Sequence, residues 1–179
     1  MIVWLNGAFG AGKTTLAAEL HRRLPDALAF DPEYVGYLLL KWVPPAPTGD
    51  FQDIPLWRTL VAQFAAGLWR SYGRTVITPM TLVNPAYRAE IFDALKAADV
   101  PLLHAFLDVP AEVLRTRITD QHILDGTPQS DDTRAFRLGN VERCVAARAE
   151  LDSDALVLSA DLDPPERLAD RVVAAVKSC

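Results

Sequence analysis

Four residues carry the first chemical signal. Gly7, Gly12, Lys13 and Thr14 occupy the fixed places of the pattern G-x-x-x-x-G-K-[ST], within the stretch GAFGAGKTT. A chain wraps a phosphate closely only if side chains stay out of the way, and Gly7, Gly10 and Gly12 provide that room. The backbone N–H groups of the loop, those of Phe9, Ala11 and Thr15 included, are expected to form an anion nest. The following helix start adds unpaired N–H groups and a positive dipole end. Lys13 is expected to reach the β- and γ-phosphates of a nucleotide, and the Thr14 hydroxyl to ligate Mg²⁺.

Further candidates follow along the chain. Asp31 and Glu33 close a short apolar run, where open α/β sheets bind ligands. Asp31 can equally cap the next helix, with Pro32 at its first position. Trp57 and Arg58 stand side by side at a helix start, able to grip an anionic or planar group, or to serve in a surface ion pair. Arg115, Arg117, Arg134, Arg137, Arg143 and Arg148 bracket a polar stretch over residues 121–132. That grouping reads as a mobile lid, about residues 117–140, bringing guanidinium groups onto transferring phosphates. His21 reads as a surface or packing residue and His104 as a core histidine.

These residues need elements to position them. Apolar runs at residues 2–6, 27–30, 75–78, 101–107 and 156–159 read as strands. Helical spacing of apolar residues marks 15–24, 34–42, 56–72, 85–98, 111–119, 134–151 and 164–177. Strand alternating with helix predicts an α/β fold, a five-stranded parallel sheet with helices on both faces. The phosphate pattern then lies between the first strand and the first helix, the context it requires. The whole of 1–179 reads as one domain, with residues 43–53 as an excursion over the substrate side.

Composition excludes several classes. At 179 residues the chain is long enough for a sizeable core, and half of its residues are hydrophobic. The net charge of −5 argues against a nucleic-acid binder. The two cysteines, Cys144 and Cys179, are too few for a disulfide framework and fit a reducing cytoplasm. The N-terminal apolar run is too short for a signal peptide, and no run reaches the length of a membrane span. The last helix reads as a cover for the sheet; contact with a membrane surface through its apolar stripe is the lesser alternative. A GTPase switch would need an Asn-Lys-x-Asp segment, which is missing from the sequence. The oligomeric state stays open.

The opening WLNGAFGAGKTTLAAELHRRL, the segments DPEYVGYLL, DFQDIPLWR and PMTLVNPAY, and the later Val141-Glu142-Arg143-Cys144 resemble the tunicamycin resistance protein family. That family is similar in turn to the nucleoside-monophosphate-kinase-like group, which includes shikimate kinase. The resemblance implies a P-loop kinase-like fold with a helical lid. It implies ATP and Mg²⁺ as cofactors, and either a phosphotransferase or a non-catalytic ATP-dependent binder acting on a nucleoside-type antibiotic. By the same resemblance Lys13, Asp31, Arg117 and one lid arginine, taken as Arg143, are catalytic. Asp31 faces magnesium or the acceptor hydroxyl, and Arg117 lies over adenine. Asp31, Glu33, Tyr34, Trp57, Arg58 and Met80 fall in the family-specific segments and are assigned to the acceptor. One departure concerns the metal: the third strand ends in Thr78-Pro79-Met80, without an acidic residue.

Overall fold

The computed structural model describes residues 1–120 and 131–178. The expected mobile segment 121–132 therefore lies, over residues 121–130, outside the described residues.

The first strand, β1 (Ile2–Gly7), is buried along its whole length. Apolar side chains on both of its faces suit only the centre of a sheet covered on both sides. Around it stand β2 (Leu28–Ala29), β3 (Val76–Pro79), β4 (Leu102–Asp108) and β5 (Leu156–Ser159), in the order β2-β3-β1-β4-β5. All four pairings are parallel. β2 is shorter than the sequence reading, although the Phe30 N–H still bonds to the Ile77 carbonyl at 3.0 Å.

Alternation along β1 divides the core. Val3 and Leu5 pack with Leu16 and Leu20 of α1 (Lys13–Arg23) and with Leu168 and Val172 of α8 (Pro165–Ser178). Ile2 and Trp4 pack with Trp57 and Val61 of α3 (Pro55–Tyr72) and with Ile91 and Leu95 of α4 (Pro85–Ala97). Fully burying such side chains stabilises by about 1.5–3 kcal/mol each. The apolar stripe of α8 is thus packed against the sheet, as expected of a covering helix. No described helix is long and apolar enough to cross a membrane.

Boundaries follow local chemistry. Asn84 caps α4, its side chain accepting from the Ala86 N–H at 3.0 Å and the Tyr87 N–H at 3.3 Å. α3 ends at Gly73, where φ is 64°. The remaining helices are α2 (Glu33–Leu39), α5 (Ala111–Asp120), α6 (Asp131–Gly139) and α7 (Val141–Ala146). The helix expected over 134–151 is broken at Gly139-Asn140. A glycine has weak helical preference, and the Asn140 side chain donates back to the Phe136 carbonyl at 2.8 Å, so two helices form and a 3₁₀ turn over Ala147–Glu150 follows.

Candidate active site

The loop between β1 and α1 has the backbone that its glycines permit. Gly7, Gly10 and Gly12 take φ of 137°, 78° and 98°, values that L side chains rarely adopt. A Cβ at Gly7 would also meet the Leu107 carbonyl oxygen at 2.7 Å. α1 then starts at Lys13, which leaves its first N–H groups without partners inside the helix. Positive-φ glycines at a helix N-terminus make a cradle for anionic oxygen.

Neighbouring segments hold the loop rigidly. Asn6 is fully buried; its Oδ1 accepts from the Gly7 and Leu82 N–H groups at 2.8 Å each, and its Nδ2 donates to the Leu82 carbonyl at 2.8 Å. The Thr81 hydroxyl donates to the Gly7 carbonyl at 2.9 Å, and Gln52 Nε2 donates to the Thr81 carbonyl at 3.0 Å. Lys13 Nζ lies against the Gly7 and Ala8 carbonyls at 3.0 and 2.8 Å. Burial lowers its pKa to about 8, Cys144 and then Glu33 oppose that shift, and Arg137 adds to it.

Beside the loop is a cleft of about 460 Å³. Phe9, Gly10, Gly12, Lys13, Thr14 and Thr15 line one wall; Asp31, Glu33 and Met80 line the other; Arg117 and Arg137 complete it. Asp31 Oδ1 accepts from the N–H of Glu33, the first residue of α2, at 2.9 Å, and the Asp31 side chain also lines the cleft. Glu33 Oε2 accepts from the Tyr37 hydroxyl at 3.0 Å. Burial first, then the Glu33 charge and hydrogen bond, push the Tyr37 hydroxyl up to about 12.

Several expected residues stand elsewhere. Trp57 is 0% exposed and does not line the cleft; its indole N–H donates to the Pro32 carbonyl at 3.1 Å, holding the turn that carries Asp31. Arg58 is 8% exposed, with Nε on Glu90 Oε2 at 2.5 Å, NH1 on the Gln52 carbonyl at 2.6 Å and its guanidinium 4.1 Å from the Tyr87 ring. Its charge is consumed structurally. Tyr34 is 72% exposed and packs edge-on against Tyr37, outside the cleft lining. Ala11 lines a neighbouring recess and not the cleft itself.

The arginines also separate. Arg117 donates to the Ala160 carbonyl at 3.1 Å and, more loosely, to the Gly10 carbonyl at 3.5 Å. Arg137 lies 5.7 Å from the Phe9 ring. Arg143, expected to be catalytic, is exposed and does not line the cleft. Its charge acts instead on Asp50 and Asp53. Burial pushes the Asp50 carboxyl up and Arg143 opposes that shift. The Thr48 hydroxyl chiefly holds Asp53 down, with Tyr87 and Arg143 adding to it. Arg137 and Arg143 are six positions apart, about 120° around a regular helix, so a single helix face could not carry both.

Sequence reasoning missed a second recess. It is about 510 Å³, shares Gly10, Gly12, Thr15 and Arg117 with the loop, and is closed by Asp161, Pro164 and Leu168 after β5. The signal was available, since residues just past the carboxyl end of any parallel strand are ligand candidates. As to metal, the described residues contain no group of three or more His, Cys, Asp or Glu side chains suited to an ion. Thr14 and Asp31 share the cleft, and a hydroxyl with one carboxylate suits Mg²⁺, which keeps several waters and takes phosphate oxygens.

Comparisons with known proteins place the fold. The AAA domain family matches residues 2–138. The structure of the Deinococcus radiodurans tunicamycin resistance protein is similar at 28% identity and a TM-score of 0.76, covering 98% of this chain and 94% of that one. The Mycobacterium tuberculosis APS kinase, solved with AMPPNP and APS, shares the fold at 16% identity and TM-score 0.67, over 98% and 96% of the two chains. Shikimate kinase from Acinetobacter baumannii, solved with shikimate, shares it at 16% identity and TM-score 0.61, over 99% and 93%. Among curated proteins none matches the chain significantly. The fold is therefore that of the P-loop kinase-like proteins.

Proposed function

The chain belongs to the AAA domain family, and from that premise we propose that it is an ATP-dependent phosphotransferase acting on a hydroxyl of a small molecule, with tunicamycin as the acceptor. One observation supports the chemistry above all: Lys13, Thr14, Asp31, Glu33, Arg117 and Arg137 line a single cleft at the carboxyl edge of the sheet. The acceptor is taken from the printed name of the similar Deinococcus radiodurans protein.

In this reading the loop N–H groups and Lys13 hold the β- and γ-phosphates of ATP. Thr14 and Asp31 would hold Mg²⁺, which would neutralise phosphate charge. The acceptor hydroxyl gives its proton to Asp31 as its oxygen bonds to the γ-phosphorus. The bond from that phosphorus to the β–γ bridging oxygen breaks, and ADP leaves. Arg117 and Arg137 stabilise charge on the transferring group, and Arg117 divides the phosphate cleft from the recess at 160–165, which takes the nucleoside end. Trp57 acts at one remove, through Pro32.

Mass spectrometry of tunicamycin incubated with the protein and MgATP tests this. The expected product is tunicamycin carrying one added phosphoryl group, together with ADP. Tightly bound but unmodified tunicamycin would overturn transfer in favour of sequestration.

A further inference from the structure

Charge is 23% of the whole chain, yet of the 18 residues of α3 only Arg58 and Arg70 carry any. Both turn sideways to α4: Arg58 Nε reaches Glu90 Oε2 at 2.5 Å, and Arg70 NH2 donates to the Ala98 carbonyl at 2.6 Å. What α3 presents outward is apolar, with Leu56 47%, Phe64 47% and Tyr72 61% exposed. An open groove of about 370 Å³ runs along this face, lined by Leu60, Phe64, Gly67, Leu68, Ser71 and Tyr72. No residue of the face lines the active-site cleft.

Gly67 has no packing role inside the chain. It stands in the interior of a regular helix, where glycine is a weak former. A Cβ there would meet no described atom within 4 Å. The glycine therefore leaves a notch in the outer surface, and Phe64, three positions earlier, is a ridge beside it. Helices pack by setting the ridges of one into the grooves of the other.

We propose that this face is a contact between two copies of the chain, with their α3 helices antiparallel and Phe64 of each seated at Gly67 of the other. In an antiparallel pair the numbers of facing residues have a constant sum, so the same register sets Leu60 against Ser71, again large against small. A two-fold contact must be complementary to itself, and here one helix supplies both ridge and notch. Charge favours the same occupant. Two chains of net charge −5 repel, and they repel least across a face without charges. A partner selected by its charge would find nothing on this face to read. The face is about 24 Å long and 10 Å wide, short of the roughly 800 Å² per partner of a standard interface, so the dimer is a weak one, with Kd of about 10–100 µM.

Sedimentation velocity of the full chain from about 2 to 500 µM tests this, a range that spans the expected Kd. The average mass should rise from that of one 19.7 kDa chain toward twice that value. Gly67→Arg and Ser71→Arg, both at exposed positions, should each stay monomeric to about 500 µM, a loss of at least about tenfold in affinity, with circular dichroism unchanged. Gly67→Arg should melt at or above the temperature of the parent, because arginine is the better helix former. A parent chain that is monomeric throughout would overturn the proposal and leave the face to a partner of another kind. A dimer that survives both substitutions would put the contact on another surface and overturn it equally. Dissociation by Gly67→Arg alone would overturn the antiparallel register.

Discussion

The two walls of the active-site cleft are built on different principles. The phosphate wall, residues 7–15, is almost entirely backbone: glycines with φ of 137°, 78° and 98° and the start of α1. The opposite wall, residues 31–58, is built from side chains hung on short pieces: Asp31 on the Glu33 N–H, the Glu33–Tyr37 pair, and Trp57 bracing Pro32 from below. A backbone wall has one solution for all phosphates. A side-chain wall can be recomposed for each acceptor while the sheet beneath stays the same.

The comparison breaks most readily at Lys13, the one side chain on which the phosphate wall depends. Lys13→Ala should lower phosphate transfer by about 10³-fold or more, since a positioned charge acts on the transition state as well as on binding. ATP affinity should fall with it. A Lys13→Ala protein with normal transfer would sever the loop from the chemistry.

Asp31→Asn tests the opposite wall. Asparagine keeps an oxygen for the Glu33 N–H, so the cap survives while the charge goes. Transfer should fall by about 10²-fold or more, the scale of a lost general base, with melting temperature and ATP affinity little changed. Normal transfer by this variant would take Asp31 out of the mechanism.

The same contrast decided what could be read from sequence. The phosphate wall was fully legible, because a backbone cradle needs glycines at fixed spacing and the strand and helix beside it are periodic. The sheet was legible for a related reason: β1 and β4 are apolar on both faces and α1 and α8 on one. Of the residues read for the opposite wall, only Asp31, Glu33 and Met80 line the cleft. Trp57 and Arg58 stood beside the right residues, yet sequence adjacency does not say which side of a helix faces the cleft. Arg58 turned to Glu90, 32 positions away in the chain. Of the lid arginines weighed, Arg137 lines the cleft and Arg143 does not; they lie about 120° apart around a helix, and sequence alone does not say which face turns inward. The recess at 160–165 is assembled by tertiary packing of a loop that has no pattern of its own.

A pH series sharpens the difference between the walls. With Lys13 at about 8 in the folded protein against 10.5 ordinarily, the unfolded chain holds more protons between those values. Its contribution therefore penalises folding fully below pH 8, and the penalty is relieved as pH rises toward 10.5. Nucleotide binding runs the other way, because phosphate charge favours the protonated amine. ATP affinity should fall above pH 8, approaching about tenfold per pH unit, and calorimetry in buffers of different ionisation enthalpy should detect proton uptake there. Affinity that stays flat from pH 7 to 10 would contradict the lowered Lys13.

The smallest expected effect is the most discriminating between contact and support. Trp57→Phe keeps most of the buried apolar area but deletes the N–H that holds the Pro32 carbonyl at 3.1 Å. The loss of one buried hydrogen bond costs about 1–3 kcal/mol in stability, because the carbonyl is left unsatisfied. If Trp57 works only by holding the turn, the damage must pass through Asp31. Transfer should then drop about fivefold to tenfold through a misplaced carboxylate, with acceptor KM nearly unchanged. In an Asp31→Asn background the same substitution should cost little further activity, since two residues acting as one unit are not additive. A large rise in acceptor KM with kcat intact would instead mean that the indole touches the acceptor, through an opening of α3 that its full burial argues against. Independent losses in the double variant would mean that Trp57 supports something other than Asp31, and Glu33, which rides on the same turn, would be the next residue to test.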